Sequence, residues 1–159
     1  KKRGNLSQQA KRIESIKNMV KDKTLVRDYL SSYISVIEKI ETISEADAVF
    51  WAIRNLILAD FLSKHQEEKI IYYEDVCLNP SIEFAKIFEQ MSLNLSQKVQ
   101  DFIEQTTSCD RPGTYSTSRI TSKQIGKWKR ELNQDEIYRV RKIVEQFNLP
   151  FYNSESDWK

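Results

Sequence analysis

Three glycines, three prolines, two cysteines and a single histidine are spread over 159 residues, and each shortage closes off a class of chemistry. Gly4, Gly113 and Gly126 are too scattered to build a glycine-rich phosphate cradle, and no G-x-x-x-x-G-K-[ST] occurs. His65 has no partner set by spacing, so no Ser/His/Asp or Cys/His arrangement exists; within "SKHQEEK" it reads as a solvated surface residue. Cys77 and Cys109 match no metal-ligand spacing and are expected as reduced thiols in a cytoplasmic setting. Long apolar runs are missing too. The best candidate, residues 46–62, is interrupted by Asp47, Arg54, Asn55 and Asp60, short of the roughly 20 apolar residues of a membrane helix. The basic start "KKRGNLSQQAKR" is followed by an amphipathic segment and not by the apolar core of a signal peptide. A formal charge of +2 is too small for bulk attraction to nucleic acid. Neither nucleic acid nor membrane is therefore expected as a partner.

What is present is a hydrophobic content of 40%, enough for one domain's core, laid out mostly with helical period. Leu6, Ala10, Ile13, Ile16, Met19 and Val20 predict a first amphipathic helix, opened by Asn5 and Gln8 in the manner of a capping box. Leu25, Tyr29, Leu30, Tyr33, Ile34, Ile37 and Ile40 predict a second. "SEAD", from Ser44 to Asp47, reads as the capping box of a third helix that is apolar nearly all round and so must be buried on several sides. Asn79-Pro80 opens a further helix, Ser96 caps a short one, and Asn133 with Glu136 caps a last one that ends at Asn148 and Pro150.

One segment breaks the helical texture. Ile70, Ile71, Tyr72 and Tyr73 form an unbroken β-branched and aromatic run closed by Glu74 and Asp75, which predicts a strand at about 70–73 covered on both faces, as in a parallel sheet. A lone strand leaves its backbone groups without partners. No second strand follows, so its neighbours are expected before Lys1. The fold class expected is α/β: a mostly helical C-terminal portion with one parallel-type strand. Along the chain this gives a single or partial domain, with a helical insertion at 1–43, a helix–strand–helix core at 44–108, a basic Ser/Thr loop at 109–132 and the final helix at 133–152.

The basic loop is the strongest functional candidate. Between Arg111 and Arg130 lie Arg119, Lys123, Lys127 and Lys129 without one acidic residue, interleaved with Ser116, Thr117, Ser118, Thr121 and Ser122. Hydroxyls beside guanidinium and ammonium groups are the donors that a phosphate needs. The carboxylate pairs Glu67-Glu68 and Glu74-Asp75 diverge as sequence neighbours and form no acid–base couple.

The order of motifs adds a family. "YYEDVCLNP" resembles the Y-E-D-L...N-P segment of sulfotransferases, "FWAIRN" is similar to the tryptophan-bearing helix ahead of it, and "FEQMSLNLSQKVQDFIEQTT" resembles the turn and helix behind it. "GKWKRELNQDEIYRVRKIVEQFNLPFY" is similar to the family's closing G-x-W-K and final helix. These run in family order over residues 50–152, and the segment before Phe50 resembles the helical insertion of bacterial-type members. The resemblance implies a P-loop-like fold and transfer of a sulfuryl group from 3'-phosphoadenosine 5'-phosphosulfate (PAPS) to a hydroxyl or amine of a small molecule or glycan. The family's catalytic base and 5'-phosphosulfate loop lie upstream of the matched region, so no catalytic residue is placed on this sequence. What carries over is the loop that closes on the cofactor's 3'-phosphate, R-K-G-x-x-G-D-W-K. Gly126, Lys127, Trp128 and Lys129 supply G-x-W-K, while Thr121, Ser122 and Lys123 stand in the R-K-G register and Arg119 lies nearby. Arg119, Thr121, Ser122, Lys123 and Gly126 are thus the implied cofactor-binding residues, and Trp128 reads as a core anchor.

A second reading of the residues is a noncatalytic helical module that holds an acidic or phosphorylated partner on the 111–130 loop, with "KIIYY" satisfied inside the chain or by a dimer mate. Under the first reading the isolated chain exposes an apolar edge and should form homo-oligomers or aggregate.

Overall fold

The computed structural model describes residues 6–111, 118–152, 155 and 158. The chain divides into two units, Lys1–Glu68 with Leu132–Lys159, and Lys69–Glu131.

In the first unit, α1 (Leu6–Lys17) runs into a 3-10 turn (Asn18–Lys21), then α2 (Lys23–Leu25) continues as a π-helical turn (Val26–Leu30). After α3 (Ile34–Glu38) comes the long α4 (Ile43–Lys64). The second amphipathic helix expected from Leu25 is therefore broken, although its apolar positions Leu30, Ile37 and Ile40 all reach the core. Asp22 opens α2 by accepting the N–H groups of Thr24 and Leu25 at 2.9 and 3.0 Å. Asn5 lies outside the described residues.

The capping box of α4 sits two residues ahead of the expected Ser44–Asp47. Glu45 N–H donates to Thr42 Oγ1 at 3.3 Å, and Glu45 Oε2 accepts the N–H groups of Glu41 and Thr42 at 2.8 Å each. Ser44 instead carries a buried hydroxyl oxygen with no hydrogen-bond partner. The carboxylate of Glu45 reaches two donors where Asp47 would reach one, and this decides where the helix starts. α4 packs against α1 and against the final helix, α9 (Gln134–Gln146). Its first half, Ala46, Ala48, Val49, Ala52 and Ile53, is buried, whereas Leu58 and Phe61 near its end are exposed. Phe147 completes this core, 1% exposed, its ring stacked on Tyr33 with centroids 4.4 Å apart.

The second unit holds α5 (Tyr73–Leu78), α6 (Pro80–Gln90), α7 (Gln97–Thr107), a 3-10 turn (Thr121–Gln124) and α8 (Lys127–Glu131). Here the sequence expectation needs correction. No strand occurs among the described residues, so the α/β class with a strand at 70–73 gives way to an all-helical fold. Tyr72 keeps extended backbone (φ −80°, ψ 131°), but Tyr73 already begins α5. The cause lies in the partners. A strand is held by its ladder, and among the described residues the backbone groups of Ile70 and Ile71 bond to nothing. Glu74 and Asp75, read as the end of a strand, fall in the first turn of α5, where carboxylates suit the helix's positive end.

Pro80 takes the first position of α6 as expected, while Asn79 and Ser96 stand at their cap positions without side-chain cap bonds. Burial in this unit is thin: Cys77, Ile103 and Ser118 are enclosed. Ile70, Ile71, Tyr73, Leu78, Ile82, Met91, Leu93 and Phe102 are all between 42 and 63% exposed.

Back in the first unit, α9 begins at the expected capping box. Asn133 Oδ1 accepts the N–H of Glu136, and Glu136 Oε2 accepts that of Asn133, each at 2.9 Å. The helix closes through Asn148 in the left-handed region (φ 45°), a conformation asparagine tolerates better than most residues.

Candidate functional site

The basic loop is held in place bond by bond within its own unit. Arg119 N–H donates to the Thr106 carbonyl at the end of α7 (2.9 Å), and Ile120 N–H donates to the Asp110 carboxylate (3.0 Å). The Thr121 hydroxyl donates to the Cys77 carbonyl in α5 at 2.8 Å, across 44 residues of sequence. Lys123 N–H closes the 3-10 turn on the Ile120 carbonyl (3.1 Å). Gly126 then turns the chain with φ +61°, and α8 starts as Lys129 N–H meets the Gly126 carbonyl (3.0 Å). A Cβ on Gly126 would meet nothing closer than Lys129 Cδ at 3.6 Å, so glycine is required there by backbone conformation and not by room.

This fastening decides which donors face outward. Arg119, Ser122, Lys123 and Lys127 are exposed. Arg119 spends one guanidinium N–H on the Ser118 carbonyl (2.6 Å) and keeps its others outward. Among the described residues neither Arg119, Lys123 nor Lys127 is paired with a carboxylate. Thr121 differs: its one hydroxyl proton is committed to Cys77, leaving only acceptor lone pairs, which an anion does not want. Lys129 Nζ lies 5.6 Å from the centroid of the Trp128 ring, and Trp128, expected as a core anchor, is 37% exposed. Ser116 and Thr117 lie outside the described residues, and Ser118 is buried. The donor set is cationic and hydroxylic on fixed backbone, which suits a phosphate dianion.

Sequence reasoning missed the supports. Arg130 counts as one more cation by composition, yet its guanidinium donates to the carbonyls of Lys123 (2.6 Å) and Ile125 (3.3 Å). Cys77, one turn further along α5, followed by partial burial and Glu74, pushes the Tyr73 hydroxyl up from 10.0 to about 12.

Elsewhere, His65 stacks on Phe61 (centroids 4.0 Å) and its Nδ1–H donates to the Phe61 carbonyl at 2.9 Å, a helix-end role. Both cysteines are unbridged. Among the described residues no cluster of His, Cys, Asp and Glu could hold a metal ion, and no helix is long and apolar enough to cross a membrane. The first unit has a shallow cavity of about 90 Å³ between Val144, Leu149 and Tyr152. Its one charged lining residue, Glu145, is already paired with Arg141 and Lys142.

No family model, curated protein or solved structure matches the chain. The functional reading therefore rests on this loop and on the order of motifs around it.

Proposed function

We propose that the chain is the C-terminal part of a cytoplasmic sulfotransferase that moves a sulfuryl group from PAPS to a hydroxyl or amine of a small molecule or glycan. In this reading Arg119, Ser122 and Lys123 contact the cofactor's 3'-phosphate, Gly126 sets the turn that presents them, and Thr121 fastens the loop from behind. The observation that carries the reading is the Thr121–Cys77 bond. It ties the Y-E-D segment to the basic loop, the two stretches whose sequences carry the family resemblance. In-line transfer of this kind depends mainly on positioning and charge neutralisation, and the loop's part is to hold the donor by its 3'-phosphate.

Each charge-assisted hydrogen bond to the phosphate contributes about 1.5–3 kcal/mol, so Lys123→Met should weaken binding about tenfold to a hundredfold. The alternative of a noncatalytic module holding an acidic or phosphorylated partner draws support from the all-helical fold. It also requires "KIIYY" to be satisfied within the chain or by a dimer mate; among the described residues Ile70 and Ile71 make no backbone bond within the chain, which leaves the mate as that reading's requirement.

The test is a thermal-shift titration with 3',5'-adenosine bisphosphate, with 5'-AMP as the control lacking the 3'-phosphate. A ligand that binds only the folded state stabilises it by about 2.7 kcal/mol at a hundred times its Kd. A shift with the bisphosphate alone is expected. Equal shifts, or none, overturn the assignment of 119–129 as a 3'-phosphate loop.

A further inference from the structure

We propose that Arg130 is a positioning residue that preforms the loop, its guanidinium clasping the backbone so that Ser122 and Lys123 are held ready for an anion. This deepens the phosphate reading above and rests on it. α8 is a single turn, and the side chain of a helical residue leans back toward the helix N-terminus, over the turn before it. From position 130 that lean carries the guanidinium past the left-handed Gly126 to the carbonyls of Lys123 and Ile125, on either side of Gln124.

Two divergent carbonyls of one short segment are what a planar, five-donor fork can span and an ammonium cannot. The bond to the Lys123 carbonyl fixes the backbone of a residue whose side chain is one of the loop's exposed cations. Thr121 pins the same turn to α5 from its other end, so the 3-10 turn is held at both ends, by Cys77 and by Arg130.

The experiment compares the wild-type chain with R130K, R130M and K123M. The first readout is limited trypsin cleavage after Lys123 and Lys127, which needs no ligand. Loss of two bonds from a charged donor should raise local opening, and with it the cleavage rate, about tenfold or more. R130K and R130M should be affected alike, because neither spans both carbonyls. The second readout is the salt dependence of bisphosphate binding. R130M should weaken binding and leave the slope against salt as in wild type, while K123M lowers the slope through loss of a phosphate contact.

Cleavage as slow in R130K as in wild type overturns the clasp. A slope that falls in R130M as it does in K123M also overturns it, since Arg130 would then touch the phosphate. Failure of the wild-type chain to bind the bisphosphate at all overturns the phosphate reading and the function given to the clasp, while the cleavage data still judge the bonds themselves.

Discussion

Thr121→Val should loosen the basic loop without disturbing the first unit. Valine keeps the shape of threonine and deletes the hydroxyl that reaches the Cys77 carbonyl at 2.8 Å. Cys77 is 3% exposed, and no other hydrogen bond to its carbonyl competes, so the oxygen is left without a partner in a dry setting. A net hydrogen bond contributes about 0.5–1.5 kcal/mol and a stranded buried acceptor costs about 1–3. Because Thr121 is itself half-buried and water can partly reach the gap, the expected loss is about 1–2 kcal/mol of local stability, or about 5- to 30-fold faster opening. Hydrogen exchange of a peptide covering 118–126 measures this directly, with α9 as the internal reference. Thr121→Ser keeps the donor and should remain close to wild type in exchange and in bisphosphate binding. Unchanged exchange in the valine variant would refute the fastening role. So would loss of bisphosphate binding in both variants with exchange unaltered, because Thr121 would then act on the ligand and not on the loop.

Other outcomes follow from the same geometry. Phe147→Ala, which empties the site beneath the Tyr33 ring, should cost about 3–5 kcal/mol in denaturant unfolding. The neighbouring Cys77 side chain raises the Tyr73 hydroxyl to about 12 in the fold, so the small contribution of this largely exposed group is full below about pH 10 and is lost as pH rises between those values. A tyrosinate absorbance titration should lose a late-ionising component in Tyr73→Phe, while Tyr29, raised by its bond to Asp60, still ionises late. Burial alone would raise the Glu45 carboxyl, but the N–H groups of Glu41 and Thr42, the Thr42 hydroxyl and Arg139 outweigh it and hold it low. Its contribution is present above the ordinary carboxylate range and lost as pH falls through the lower folded value. Glu45→Gln should therefore flatten the acid limb of the melting-temperature profile. The exposed Ile70, Ile71 and Tyr73 predict binding of a hydrophobic dye and concentration-dependent light scattering, both reduced by Ile71→Lys.

The parts of the fold legible in sequence are those decided locally. The Asn133/Glu136 box was placed because capping is settled within four residues, and the start at Pro80 because proline's fixed φ suits a first helical position. Where two local solutions competed the pattern was insufficient: Thr42/Glu45 displaced Ser44/Asp47 once the longer carboxylate could reach two amides. The stripe from Leu25 to Ile40 named the core residues Leu30, Ile37 and Ile40 but also Ile34, which the core does not include, and missed the π turn at Val26–Leu30, since periodicity names the buried face and does not register one residue of overwinding or slack.

The segment at 70–73 fails for a different reason, and the reason bears on function. "IIYY" has strand composition, but strand is a property of a pair, and composition says nothing about whether a partner is within reach. Without one, the same residues supply an extended link and the first turn of α5, and their apolar side chains stay in water. The basic loop behaves in the opposite way. Its Ser, Thr and Lys content predicts no regular structure, yet its backbone and side chains bond to Thr106 and Cys77 outside it and to Asp110 and Arg130 at its two ends. A loop whose turn is fastened by the carbonyls of Thr106 and Cys77, the Asp110 carboxylate and the Arg130 guanidinium has lost, before any ligand arrives, much of the conformational freedom that binding would otherwise have to remove. That is the physical argument for treating Arg119, Ser122 and Lys123 as a prepared anion site and not as a solvated stretch of cations, and it stands or falls on the order measured at Thr121 and Arg130.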